Sequence, residues 1–206
     1  MSQQRKSRRT TGGSPPGRLR IVAGKWKSRT LKIASAPGLR PTSERIRETL
    51  FNWLASRIHG ARCLDLFAGT GALGLEALSR GAVTVTFVER SREAVALLRQ
   101  ACEELGADGV TIHLVDALRF LDLNHDETFD LVFLDPPFAD ESLAVLCRLL
   151  NDGGHLSKGA RIYLEQDKTQ APPELPEEWV IAREKTAGNV RYSLVDTPAQ
   201  QIGTLE

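Results

Sequence analysis

At 206 residues with 41% hydrophobic content, the chain can bury one sizeable core, so one domain with appendages is expected. No stretch approaches the roughly 18 apolar residues of a membrane span, and the first residues lack the apolar core of a secretory leader; a cytoplasmic protein with no membrane partner is expected. The formal net charge of +1 hides an asymmetry: residues 1–47 hold 13 Lys and Arg against the lone acid Glu44, a balance of +12, while residues 48–206 hold 14 against 25, a balance of −11. A basic arm on an acidic globule calls for a polyanion as the partner of the arm.

Residues 1–17 are rich in Ser, Gly, Pro, Gln and Arg without periodic apolar positions, and read as a disordered basic tail carrying Arg5, Lys6, Arg8 and Arg9. Over 18–39 the pattern changes. Leu19, Ile21 and Ala23 alternate with Arg20 and Val22, then Gly24 breaks the run before Trp26, Arg29, Leu31 and Ile33. This predicts a short hairpin with a basic outer face and aliphatic anchors. Pro37 and Pro41 bracket an irregular loop holding Arg40. Ser43 is placed to cap a helix reaching about Arg57, with Glu44 in its first turn and Ile46, Leu50, Trp53 and Leu54 on one face.

From there strands and helices alternate. Strands are expected over 63–67, 83–88, 110–115, 129–134 and 161–164, and helices over 72–80, 91–105, 117–121 and 141–150. Residues 180–183 and 190–195 form an antiparallel pair around Gly188-Asn189, and 199–206 is left as a tail. Such alternation predicts an α/β domain over 40–198, with a mostly parallel seven-stranded sheet and helices on both faces. Cys63, Cys102 and Cys147 are odd in number and lie in apolar or helical patterns, which suits buried thiols and neither a disulfide framework nor a zinc site. His59, His113, His125 and His155 have no spacing that suggests a base or a metal site, and are expected at the surface or at helix ends.

Two segments carry chemistry, and each ends an apolar run. The first is Asp65-Leu66-Phe67-Ala68-Gly69-Thr70-Gly71-Ala72-Leu73-Gly74. Its glycines permit a tight turn, close ligand approach and entry to a helix N-terminus. A G-x-G-x-x-G turn alone is shared with dinucleotide enzymes. Here Asp65 stands inside the preceding strand, where a dinucleotide fold prefers an apolar residue and where a carboxylate suits the cationic amino group of a methionine moiety. Phe67-Ala68 also precede the first glycine. Glu89, ending the second strand of the series, is placed for ribose hydroxyls. Asp116, after the third, is placed for an adenine amine or as a cap for the helix over 117–121.

The second segment is Asp135-Pro136-Pro137-Phe138. Two prolines after a strand make a stiff exit that cannot continue the ladder, which leaves the Pro136 carbonyl available to a substrate. Asp135 supplies a second acceptor and Phe138 a stacking face. Two acceptors and a platform suit an exocyclic amine conjugated to a ring. Hydrogen bonds to its protons stabilise the positive charge that arises as a methyl group arrives. The pair of segments reads as an N-methyltransferase acting on a nucleic-acid base or a planar amide.

The chain resembles the class I S-adenosylmethionine-dependent methyltransferases, with their Rossmann-like fold, and more narrowly the RsmD family of bacterial ribosomal RNA guanine-N2 methyltransferases. Residues 40–52, from Arg40-Pro41-Thr42 to Asn52, carry the match with residues 65–81, 134–138 and 185–192. The resemblance implies methylation of the N2 amine of one guanine in small-subunit (16S) ribosomal RNA, within an assembling ribosomal particle, with S-adenosylhomocysteine as product; a sulfonium donor requires no metal, and a monomer is the default expectation. It implies that Asp135 and Pro136 orient the amine and Phe138 stacks on the base. Asp65, Phe67, Gly69, Gly71, Glu89 and Asp116 would hold the cofactor, and Thr42 would close over it with Pro41. Arg40 would meet cofactor or phosphate. In the hairpin, Arg20, Lys25, Lys27 and Arg29 would contact RNA phosphates, while Trp26 would stack on a base or pack on the main domain. The rival readings are a DNA or protein-amide N-methyltransferase, a non-catalytic RNA-binding assembly factor, and a NAD-dependent oxidoreductase.

Overall fold

The computed structural model describes residues 17–33, 42–123, 127–137 and 142–199. The N-terminal hairpin pairs β1 (Gly17–Arg20) with β2 (Thr30–Ile33), Leu19 opposite Leu31. There follow α1 (Glu44–Trp53), β3 (Arg62–Asp65), α2 (Ala72–Ser79), β4 (Thr84–Glu89), α3 (Arg92–Leu105), β5 (Val110–Leu114), α4 (Ala117–Asp122), β6 (Phe129–Leu134), α5 (Leu143–Asp152), β7 (Leu156–Asp167), β8 (Val180–Ala187) and β9 (Val190–Asp196). Ser43 and Ser91 cap α1 and α3, each accepting from the backbone N–H three residues on.

Seven strands form one sheet in the order β5-β4-β3-β6-β7-β9-β8. The first five are parallel, and β9 runs antiparallel to both β7 and β8. The expected α/β architecture is therefore present. Its central strands are apolar on both faces because helices cover both. One face packs under α1, α2, α3 and the hairpin, through residues such as Phe51, Leu75, Phe87, Leu98 and Phe133. The other packs under α4 and α5, through Leu64, Val88, Phe120, Val132 and Leu146. Two expected elements extend further: β7 begins at Leu156 and carries a register shift against β6, and β8 runs on to Ala187. Among the described residues no helix is long and apolar enough to cross a membrane.

The hairpin is integral to the core. Leu19, Ile21, Trp26, Leu31 and Ile33 are all at most 7% exposed, and each contributes about 1.5–3 kcal/mol by burial. A two-stranded ribbon alone has no such support. Polar contacts complete the join at α2, whose eight residues are all buried between sheet and hairpin. Glu76 is fully buried and accepts from the backbone N–H groups of Val22 (2.8 Å) and Ala23 (3.0 Å), from Arg47 Nη1 (3.1 Å) and from Arg80 Nε (2.8 Å). The Ser79 carbonyl at the end of α2 accepts the Lys25 N–H at 2.7 Å, so the hairpin loop caps that helix. Gly24 permits this approach: its φ is +83°, and a Cβ there would lie 1.8 Å from the Ser79 oxygen.

Candidate active site

Strand order reverses at the β3–β6 boundary: the chain steps outward through β4 and β5, then returns to lay β6 on the other side of β3. In an open α/β sheet this is where a crevice forms, beyond the carboxyl ends of the strands. Both predicted segments meet there. Asp65 ends β3 and pairs with Phe133 of β6, and Asp135 follows β6 directly.

The glycine turn works as its pattern predicts. Gly69 and Gly71 have φ of +50° and +75°, and Gly71 starts α2. Gly74 lets α2 lie against β4, since a Cβ there would sit 2.2 Å from Phe87 Cε1 and 2.9 Å from Val85 Cγ1. Asp65 is 2% exposed, and its Oδ2 accepts the Gly74 N–H at 3.0 Å. Glu89, at the end of β4, accepts from Gly69 N–H (2.8 Å) on one oxygen and Ser91 N–H (2.7 Å) on the other. Its carboxylate is thereby clamped across the glycine turn. Phe67 is half-buried against the opposite core face.

In the catalytic corner, Asp135 is half-buried and its Oδ2 accepts from Thr42 Oγ1 at 3.0 Å. Thr42 is itself held by Arg47 Nε, which donates to the Thr42 carbonyl at 3.2 Å. Pro136 is buried, and among the described residues its carbonyl has no hydrogen-bond partner. Phe138, Arg40 and Pro41 lie outside the described residues, as do His125 and residues 1–16, while Gly17, expected in the tail, opens β1.

One residue that the sequence reading missed lies beside this corner. Glu165 of β7 is 5% exposed, and its Oε2 accepts the Tyr163 hydroxyl at 2.7 Å. The acids Glu89 and Asp65 end β4 and β3, Asp135 follows β6 and Glu165 lies on β7, and among the described residues none of them has a Lys or Arg ion-pair partner. Burial pushes Asp65 up to about 7, offset by the Gly74 N–H and reinforced by Asp135 and Glu89. Burial likewise raises Asp135 to about 6 against the opposing Thr42 bond, and Glu165 to about 8 with the Asp135 charge as the next cause. Such a rim fits a cationic ligand. S-adenosylmethionine, with its ammonium and sulfonium charges, meets that requirement, and the glycine turn and clamped Glu89 fit its nucleoside half.

Of the remaining expected residues, some lie where the sequence suggests and others do not. Trp26 is 7% exposed within the core, with the Lys25 ammonium 5.4 Å from its ring, so it packs and has no free face for a base. Arg29 is exposed but donates to the Glu104 carbonyl at 3.0 Å, near the end of α3, and Arg20 pairs with Glu44 at 3.4 Å. Lys25 and Lys27 are exposed on the loop. Asp116 is exposed and caps α4 through the Leu118 N–H at 2.9 Å. His155 is buried, not superficial, with Nε2 3.0 Å from the Leu121 carbonyl. The three cysteines are buried free thiols; burial raises Cys102 to about 11 and Cys147 to about 12. Among the described residues no three His, Cys, Asp or Glu side chains are grouped to hold a metal.

The family model described as Conserved hypothetical protein 95 matches residues 19–196. The chain belongs to this family. It is 43% identical over 187 residues to Ribosomal RNA small subunit methyltransferase D of Escherichia coli (strain K12), with 91% of this chain and 94% of that protein covered. The protein of the same description from Haemophilus influenzae is 41% identical over 185 residues, covering 86% and 93%. Among solved structures, yhhF from Escherichia coli superposes with a TM-score of 0.84 at 41% identity, covering 89% of this chain and 100% of that one. At that identity and coverage, this family member is a methyltransferase with the Rossmann-like class I fold.

Proposed function

We propose that the chain transfers the methyl group of S-adenosylmethionine to the exocyclic N2 amine of one guanine in 16S ribosomal RNA, on the assembling small subunit. The observation that carries this reading is the position of Asp135: a half-buried acceptor at the strand switch point, two residues beyond the partner of Asp65 in the pairing of β3 with β6. The ribosomal substrate is supported by the relatives described as small-subunit ribosomal RNA methyltransferases.

The cofactor supplies a methyl group already activated on a sulfonium, so the chain needs no covalent nucleophile of its own. Asp65 would receive the ammonium and Glu89 the ribose hydroxyls. Asp135 and the Pro136 carbonyl would accept the two amine protons of the base, returning electron density to a nitrogen whose lone pair is delocalised into the ring. The amine nitrogen would turn cationic on receiving that methyl group, and the Asp135 carboxylate would stabilise the charge and take the departing proton. Fixing the two reactants in line supplies part of the ~7–11 kcal/mol available from orientation. A guanine in a loop leaves its stack at a lower cost than one in a duplex, a difference within the few kcal/mol that flipping takes.

The test is transfer of labelled methyl from S-adenosylmethionine to small subunits lacking their methylations, with digestion of the RNA to nucleosides. Label is expected in N2-methylguanosine. Asp135→Ala should lower turnover at least ~100-fold, as loss of an oriented electrostatic partner does elsewhere, with cofactor affinity near that of the parent. Turnover within about threefold of the parent would remove Asp135 from the mechanism. Label in protein or in another nucleoside would replace the substrate.

A further inference from the structure

We propose that Glu165 reads the ring edge of the target base: its carboxyl group accepts the N1–H of guanine while Asp135 holds the adjacent 2-amine. The inference depends on the substrate reading above and goes beyond it by naming the group that excludes other bases.

Pairing places Glu165 there. β6 and β7 run parallel with Phe133 opposite Tyr163 and Leu134 opposite Leu164, so one step further along both chains Asp135 and Glu165 are neighbours at the carboxyl rim. Side chains alternate along a strand, which puts Glu165 on the same face as Tyr163, and Asp135 on that of Phe133. The Tyr163 hydroxyl orients one carboxyl oxygen, and Tyr163 is itself locked at 1% exposure with its ring centroid 6.5 Å from that of Phe133. Tyr192, opposite Glu165 on β9, closes the far side and stacks on Trp53 at 5.5 Å. An acid held this rigidly in a buried site, with no ion-pair partner among the described residues, is placed for a donor that arrives from outside. The rise of Glu165 to about 8, caused by burial and then by Asp135, agrees with their closeness. The cationic cofactor at the same rim would favour the ionised, accepting form of both acids.

Base chemistry then selects. Three bases carry an exocyclic amine. In adenine and cytosine the ring nitrogen beside the amine is an acceptor, and in guanine alone a ring N–H donor stands next to it. Two acceptors in a row match two donors in a row, whereas the carboxylate of Glu165 facing adenine N1 would set lone pair against lone pair.

The experiment compares the parent enzyme and Glu165→Gln on small-subunit RNA whose target guanine, located by nuclease mapping of the label, is rebuilt as 2-aminopurine. This base keeps the 2-amine and has a bare ring nitrogen in place of N1–H. The parent should prefer guanine by on the order of 100-fold or more in kcat/KM, as sites built around a substrate N–H do. Glu165→Gln, whose amide can accept from N1–H or donate to a bare nitrogen, should bring the ratio within about tenfold. A structural role would lower both substrates alike and keep the ratio; a retained ratio overturns the proposal. So does a parent enzyme that uses both bases equally, a result that needs no variant. Absence of N2-methylguanosine from the parent's own product overturns the substrate reading instead.

Discussion

Asp65, Asp135 and Glu165 hold their protons more tightly in the fold than free carboxyl groups do, at about 7, 6 and 8. An unfolded chain releases those protons near pH 4. Between roughly pH 4 and 8 the folded state therefore binds more protons, and its stability is greatest at the acidic side and is lost as pH rises through the folded values. Thermal unfolding of the cofactor-free protein should show a midpoint that falls from pH 5.5 to pH 8. Asp65→Asn keeps an acceptor for the Gly74 N–H, removes one of the three groups and should flatten that fall. S-adenosylmethionine should flatten it more than S-adenosylhomocysteine, which lacks the sulfonium charge. A midpoint that rises across the window would contradict the acidic rim.

Among the elements, α2 carries the most, because its first turn faces the glycine segment and its last turn receives the hairpin. Glu76→Ala would leave Arg47 buried without its partner and the Val22 and Ala23 N–H groups without an acceptor. Such a break should cost about 3–5 kcal/mol, read by urea denaturation, and should speed amide exchange in the hairpin. A loss below about 1 kcal/mol would mean that water replaces the carboxylate.

Glu76 also shows where sequence reading stops. In Ala72-Leu73-Gly74-Leu75-Glu76-Ala77-Leu78-Ser79 an acid looks like a solvent-facing helix position, and only the hairpin folding over it makes it internal. Glu165 escaped notice similarly: an acid at the end of an apolar strand reads as the edge of the core, and its neighbour Asp135 lies 30 positions away in sequence. By contrast, the strand over 129–134, the glycine turn and the Ser43 cap were legible, since apolar runs, φ requirements and hydroxyl caps act locally. The start of β7 was not, because Ser157-Lys158-Gly159 breaks the apolar pattern and the pairing with β6 jumps across it from Leu156 to Arg161.

For the whole molecule, the charge asymmetry is one of sequence: the basic excess lies in the first 47 residues and the acidic excess in the rest. Of the expected phosphate contacts, Lys25 and Lys27 are exposed with no ion pair among the described residues, whereas Arg20 and Arg29 have partners within the fold. Replacing Lys25 and Lys27 together with Ala should weaken RNA binding and reduce its salt slope by about 0.7–0.9 for each phosphate that is no longer neutralised. Stability should stay within about 0.5 kcal/mol of the parent. Filter binding across salt concentrations reads the slope, and an unchanged slope would move the RNA path to another face.

The join between the hairpin and α2 also orders events in time. A ribosome delivers residues 17–33 first, yet their backbone acceptor Glu76 and the carbonyl of Ser79 emerge some 50 positions later, and the Glu104 carbonyl later still. Until then the basic segment has nothing to fold upon, since a lone ribbon is marginal. The hairpin is thus made well before the residues it closes upon. In a nascent chain its arginines and lysines are exposed, and the hairpin seals only after the sheet that performs the chemistry has begun to form.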